Sequence, residues 1–91
     1  MRYLICYDIV NDRRRSKLAK FLLDYGRRVQ YSVFECDLPK KVLDAVLKGI
    51  VEYVSDDEDS VRFYRLCAEC VALVQAFGLQ RVVQTPAAVV V

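Results

Sequence analysis

The segment Arg2 to Val10, RYLICYDIV, carries β-branched and aromatic residues at both odd and even positions. Successive side chains of a strand point to opposite sides, so a half-exposed strand alternates apolar with polar and only a central strand covered on two faces reads apolar on both. A chain that begins this way must build a sheet around its own N-terminal strand. With 91 residues there is room for one domain and one core. The flanking strands and covering helices therefore come from the same short sequence or from a second copy of it. Asp8 is the only carboxylate in the run and stands at its end.

After the strand, Asn11-Asp12 offers an N-cap pair. From Arg13 to Tyr25 the residues Leu18, Phe21, Leu22 and Tyr25 recur at helical spacing, and Gly26 suits the position just past a helix end. Arg27 to Leu38, RRVQYSVFECDL, alternates as extended structure and is expected as a strand with room for a bend. Pro39 opens a second helix whose stripe is Val42, Leu43, Val46, Leu47, Ile50 and Val54, running down to an acidic loop over Ser55 to Asp59. Ser60 to Leu66 alternates as a third strand. Cys70 to Phe77, closed by Gly78, reads as a fourth, and Ala88 to Val91 reads as a short terminal strand. This order predicts an α+β two-layer sandwich with helices on one face of the sheet and the other face free to pair. A mean hydropathy of +0.16 with 55% hydrophobic residues is apolar for a domain that buries only about two thirds of its unfolded surface, so a second copy is expected to cover the surplus.

The absence of any His removes imidazole acid–base catalysis, Ser-His and Cys-His nucleophile pairs, and His-containing zinc sites. Catalysis must then use carboxylates, a metal, Arg, Lys, Tyr or Cys. Of the four cysteines, Cys6 and Cys36 lie in strand-like segments where a reduced thiol acts as a small hydrophobe, so no disulfide framework is expected. Cys67-Ala68-Glu69-Cys70 has the spacing of half a zinc site, but the chain has no second such pair; two copies would be needed to assemble four thiolates, and plain turn cysteines are the favoured reading. No uninterrupted apolar run exceeds five residues, and Asp8 breaks the N-terminal stretch before it could serve as a signal peptide. No membrane association and a cytoplasmic location are expected.

Charge is segregated although the net value is only +2. From Asn11 to Arg28 seven basic residues (Arg13, Arg14, Arg15, Lys17, Lys20, Arg27, Arg28) face two acidic ones, whereas Glu52 to Asp59 holds five acids and no base. An Arg-rich helix start fits phosphate recognition, since each phosphate contact releases counterions and helix N-termini add amide donors; a merely solvated helix face is the alternative. Asp8, at the carboxyl end of a strand and directly before that helix, sits where α/β proteins collect their sites. It could instead cap the helix, although Asn11 or Asp12 already supplies a cap. One carboxylate holds Mg²⁺ weakly; two copies of Asp8 brought together by a two-fold axis, with waters and a substrate phosphate, would complete a site. Tyr7, Tyr31 and Phe34 lie near the basic segments as candidates for base stacking, with a core role the competing reading for Phe34.

Tyr7-Asp8-Ile9 ending a strand, Arg14-Arg15-x-Lys17-Leu18 opening a helix, Gly26 before Arg28-Val29-Gln30-Tyr31-Ser32-Val33-Phe34-Glu35, and Asp59-Ser60-Val61-Arg62 with Tyr64 together resemble the CRISPR-associated Cas-two family, the small protein that accompanies the integrase in spacer acquisition. The likeness extends to about Cys70. It implies a ferredoxin-like two-layer α/β sandwich and a symmetric homodimer in which the C-terminal strand packs on the partner, with residues 1–80 as the core and 81–91 as the pairing segment of a single domain. A ferredoxin-like fold needs two strands between the helices, yet Arg27 to Leu38 has no Gly or Pro turn signal: either the stretch bends into two short strands or its turn is unconventional. The resemblance also implies that Asp8 is the metal-binding, catalytic aspartate, shared across the dimer with Mg²⁺. Nucleic-acid contacts are expected from Arg13, Arg14, Arg15, Lys17, Arg27 and Arg28, with Tyr7 and Phe34 in support. The expected activity is metal-dependent endonuclease cleavage of single-stranded RNA or double-stranded DNA. The alternative is a non-catalytic dimeric scaffold that binds duplex DNA and bridges integrase subunits. A base-reading RNA module is disfavoured by the lack of its aromatic motif pair.

Overall fold

The structure, a computed structural model, describes residues 1–78. Its elements run β1 (Arg2–Asp8), α1 (Asp12–Leu22), β2 (Gly26–Gln30), β3 (Val33–Asp37), α2 (Lys40–Ile50), one 3-10 turn (Val51–Tyr53), β4 (Ser60–Leu66) and α3 (Ala68–Ala72). The four strands form one antiparallel sheet in the order β2-β3-β1-β4. As the opening run of both-parity apolar residues requires, β1 is a central strand: Ile5 sits between Phe34 of β3 and Phe63 of β4.

Odd-numbered residues of β1 face the helices. Ile5, Tyr7 and the following Ile9 join Leu18, Ala19 and Leu22 of α1, Phe34, Cys36 and Leu38 around β3, and Val46 and Ile50 of α2 in one buried cluster. Even-numbered residues of β1 lie on the other face in register with those of its neighbours: Leu4 beside Glu35 and Tyr64, Cys6 beside Val33 and Arg62, Asp8 beside Ser60. The βαββαβ order with both helices packed into one cluster is the ferredoxin-like sandwich. Arg2 closes the open face at its far end through Nε and Nη2 to the Asp37 carboxylate, at 3.1 and 3.0 Å. Gly26 is needed where β2 meets β3, since a Cβ there would lie 2.3 Å from the Glu35 carbonyl oxygen and 2.4 Å from Cys36 Sγ.

Of the options left open for Arg27 to Leu38, the chain takes two short strands, a hairpin turning at Tyr31-Ser32 without Gly or Pro and with a register shift between Arg28 and Gln30. Three other expectations change. The first helix ends at Leu22 instead of reaching Tyr25, and the second gives way to the 3-10 turn after Ile50. Cys70 to Phe77 is not a strand: Cys70 to Ala72 complete α3, and no strand follows among the described residues. The expected terminal strand at Ala88 to Val91, and the pairing segment 81–91 that contains it, lie outside the described residues.

Candidate nucleic-acid and metal site

Asp8 is the last residue of β1, exposed, on the face turned away from the helices. Among the described residues its carboxylate takes part in no hydrogen bond or ion pair. The capping role that competed for it is filled by Asn11, whose Oδ1 accepts the Arg14 backbone N–H at 3.0 Å. Among the described residues Asp8 is thus a solvent-facing carboxylate without a side-chain partner, at the end of a strand whose other face is core.

Tyr7, one residue earlier, points the opposite way. Its ring is buried and stacks on Phe34 at 6.2 Å between centroids. Its hydroxyl donates to the Tyr31 carbonyl at 3.2 Å, and its backbone N–H donates to the Ser32 carbonyl at 3.0 Å. Tyr7 thus fastens the hairpin turn against the end of β1, beside Asp8. The turn leaves the Tyr31 side chain 91% exposed, whereas Phe34 is 0% exposed and roofed by the Arg28 guanidinium, 5.5 Å from the ring centroid. Phe34 and Tyr7 are packing residues; of the aromatics considered for stacking, Tyr31 is the exposed one.

The basic residues divide into two sets. Arg14 donates through Nε and Nη2 to Asp59 Oδ2, at 3.2 and 2.9 Å, and through Nη2 to Glu58 Oε1 at 2.9 Å. Arg15 donates through Nη1 to the Ile9 carbonyl at 2.9 Å and pairs with Asp12. Both guanidinium groups tie down the loop that leads from Asp8 into α1. Arg13 and Lys17, one helical turn apart, are exposed and take part in no side-chain hydrogen bond or ion pair among the described residues. Arg28 is exposed on β2, while Arg27 is half-buried and in register with Glu35.

Asp59 is the functional-region residue that sequence reasoning missed. Its side chain is 0% exposed, and it accepts the backbone N–H groups of Val10 at 2.9 Å and Ser55 at 2.8 Å besides Arg14. Burial pushes its carboxyl up, but the hydrogen bonds from Ser55, Val10 and Arg14 outweigh it and hold the group below the usual carboxylate range. The signal available was charge complementarity between a five-acid run and a seven-base run in one small domain, of which Arg14 with Glu58 and Asp59 is the pairing the structure shows.

The arrangement defines a ferredoxin-like domain with a free strand-end carboxylate beside a basic helix start. The model of the family described as CRISPR associated protein Cas2 matches residues 1–74, and the chain belongs to that family. It is 43% identical over 89 residues to a CRISPR-associated endoribonuclease Cas2 of Synechocystis sp., covering 98% of this chain and 97% of that protein. The crystal structure of Streptococcus pyogenes Cas2 superposes with a TM-score of 0.77 at 31% identity, covering 86% of this chain and 100% of that one. A chain of a partial Cas6-RT-Cas1–Cas2 complex superposes with a TM-score of 0.65 at 34% identity, covering 82% of this chain and 88% of that one. No helix among the described residues is long and apolar enough to cross a membrane.

Proposed function

We propose that this protein is a cytoplasmic, metal-dependent endonuclease of CRISPR adaptation that acts as a symmetric homodimer on single-stranded RNA or duplex DNA, with Asp8 of both protomers holding one Mg²⁺. The carrying observation is the Asp8 carboxylate itself, exposed at a strand end with no side-chain partner among the described residues and relieved of capping by Asn11. Names of relatives support the reaction class, since several are CRISPR-associated endoribonucleases.

The donor chemistry fits a hard cation. Among the described residues no three His, Cys, Asp or Glu form a metal cluster within one chain, but Mg²⁺ is commonly held by one or two carboxylates with waters and substrate phosphate. The open sheet face around Asp8, with Leu4, Cys6 and Tyr64, supports pairing with a second copy. When bound, the ion supplies Lewis-acid polarisation of the phosphate and activation of water. Arg13, Lys17 and Arg28 hold the phosphate backbone by charge, with Arg27 alongside on β2. Arg14 and Arg15 orient the start of α1 and present its amide groups. Tyr7 positions the turn that offers Tyr31 to a base, and Phe34 supports Arg28 from below.

The test is Mg²⁺-dependent cleavage of labelled single-stranded RNA and duplex DNA by the wild type and by Asp8→Asn, both verified as dimers. Asp8→Asn is expected to lose cleavage by more than about 100-fold, beyond the 10–100-fold typical of losing a group that only orients a ligand, with the dimer intact. Equal cleavage by both proteins, or none by either, sinks the catalytic reading. The second reading is then a dimeric scaffold that binds duplex DNA and bridges integrase subunits, favoured by the likeness to a chain of a Cas1–Cas2 complex.

A further inference from the structure

Cys67 and Cys70 stand where β4 passes into α3, and the nuclease reading leaves them unused. Cys67 immediately precedes α3, and its Sγ accepts the Cys70 backbone N–H at 3.4 Å. Both are exposed, whereas Cys36 is buried and Cys6 half-buried. The contact holds Cys67 Sγ against the backbone of Cys70, so the N-cap thiol and the thiol three residues on share the first turn of α3.

The thiols are also unequal. The Cys70 backbone N–H holds the Cys67 thiol below its ordinary value, and the hydrogen bond with Cys67 holds the Cys70 thiol above it. Burial pushes the Cys36 thiol up to about 11, which keeps it inert. Two thiols with no third ligand beside them among the described residues suit redox chemistry better than a metal.

We propose that Cys67 and Cys70 form a reversible dithiol–disulfide site whose oxidant is a small-molecule disulfide of the glutathione type. The Cys67 thiolate attacks one sulfur of that disulfide, its S–S bond breaks, and one thiol leaves. Cys70, losing its proton to solvent, then attacks Cys67 Sγ in the mixed disulfide and expels the second thiol. Two electrons pass from the protein pair to the added disulfide, one intramolecular S–S bond forms, and two small thiols are released. Closure replaces the sulfur-capped first turn of α3 with a covalent link at the point where the chain leaves the sheet.

The full chain is equilibrated over graded ratios of reduced to oxidised glutathione, acid-quenched, tagged with a maleimide and weighed intact. The wild type is expected to lose two taggable thiols together, to become lighter by two hydrogens without carrying glutathione, and to recover with dithiothreitol. Cys70→Ser is expected to stop at the mixed disulfide on Cys67, Cys67→Ser not to close, and Cys36→Ser to behave as wild type. A wild type that stays reduced across the series, accumulates glutathione adducts without closing, or links two chains on a non-reducing gel overturns the proposal. Nuclease activity plays no part in this readout, so it stands or falls apart from the Asp8 reading.

Discussion

A substitution at Phe34 reports on folding before it reports on chemistry. The ring is 0% exposed, stacked on Tyr7 and covered by Arg28, so Phe34→Ala is expected to cost about 3–5 kcal/mol, measured by urea unfolding. A loss of activity in that variant without this loss of stability would instead place the ring in contact with substrate. Asp8 is the opposite case: an exposed carboxylate without partners among the described residues can change to Asn with little effect on folding, which is why its cleavage phenotype is interpretable. The sequence alone marked both residues and left Phe34 between a core and a stacking role, which was decided only by the helices covering its face of the sheet.

Among the elements, the loop before β4 is joined to the start of α1 by a single buried carboxylate. Asp59 gathers Val10, Ser55 and Arg14, while Glu58 adds a half-exposed ion pair to the same guanidinium. Asp59→Ala is expected to lower Tm clearly more than Glu58→Ala, since removing the first leaves two backbone donors and a cation without their acceptor; equal effects would mean the loop is held by other contacts. The pH dependence follows in sign. Asp37 is held low by its hydrogen bonds from Arg2, and Asp59 is held low on balance. A carboxyl depressed in the folded state contributes stability that is present above its unfolded value near 3.9 and is lost as pH falls through the folded value. Tm should therefore be flat above about pH 5 and fall below about pH 4, and the fall should flatten in Asp59→Asn and Asp37→Asn. The turn of the hairpin could not be placed from sequence because Tyr31-Ser32 carries neither Gly nor Pro; Tyr7, from another strand, holds it. Short α3 was hidden for a related reason: β-branched residues in CVALV mimic a strand, and the cap that starts the helix is a sulfur rather than a common capping oxygen.

For the whole molecule, the division of the basic residues sets what the proposed nucleic acid binding depends on. Arg13, Lys17 and Arg28 are open to phosphate, while Arg14 and Arg15 are engaged within the fold. Changing each of the first three to Ala is expected to reduce the slope of log binding constant against log salt by about 0.9 per lost contact on duplex DNA and about 0.7 on a single strand. Arg14→Ala should instead lower Tm; a full unit of salt slope lost at Arg14 with Tm unchanged would show that the Asp59 pair opens to admit a phosphate. The amino-acid order by itself determined the central first strand, the capped helix after it, the span of β4, and the family, because periodicity and capping are local and the family motifs are contiguous. Among the described residues, tertiary structure alone decided which arginines are free and which are tethered, that Asp8 has no side-chain partner, and where the chain turns between β2 and β3. Those properties depend on pairs far apart in the chain, such as Arg14 with Asp59 and Tyr7 with Tyr31, whose contact no local spacing encodes.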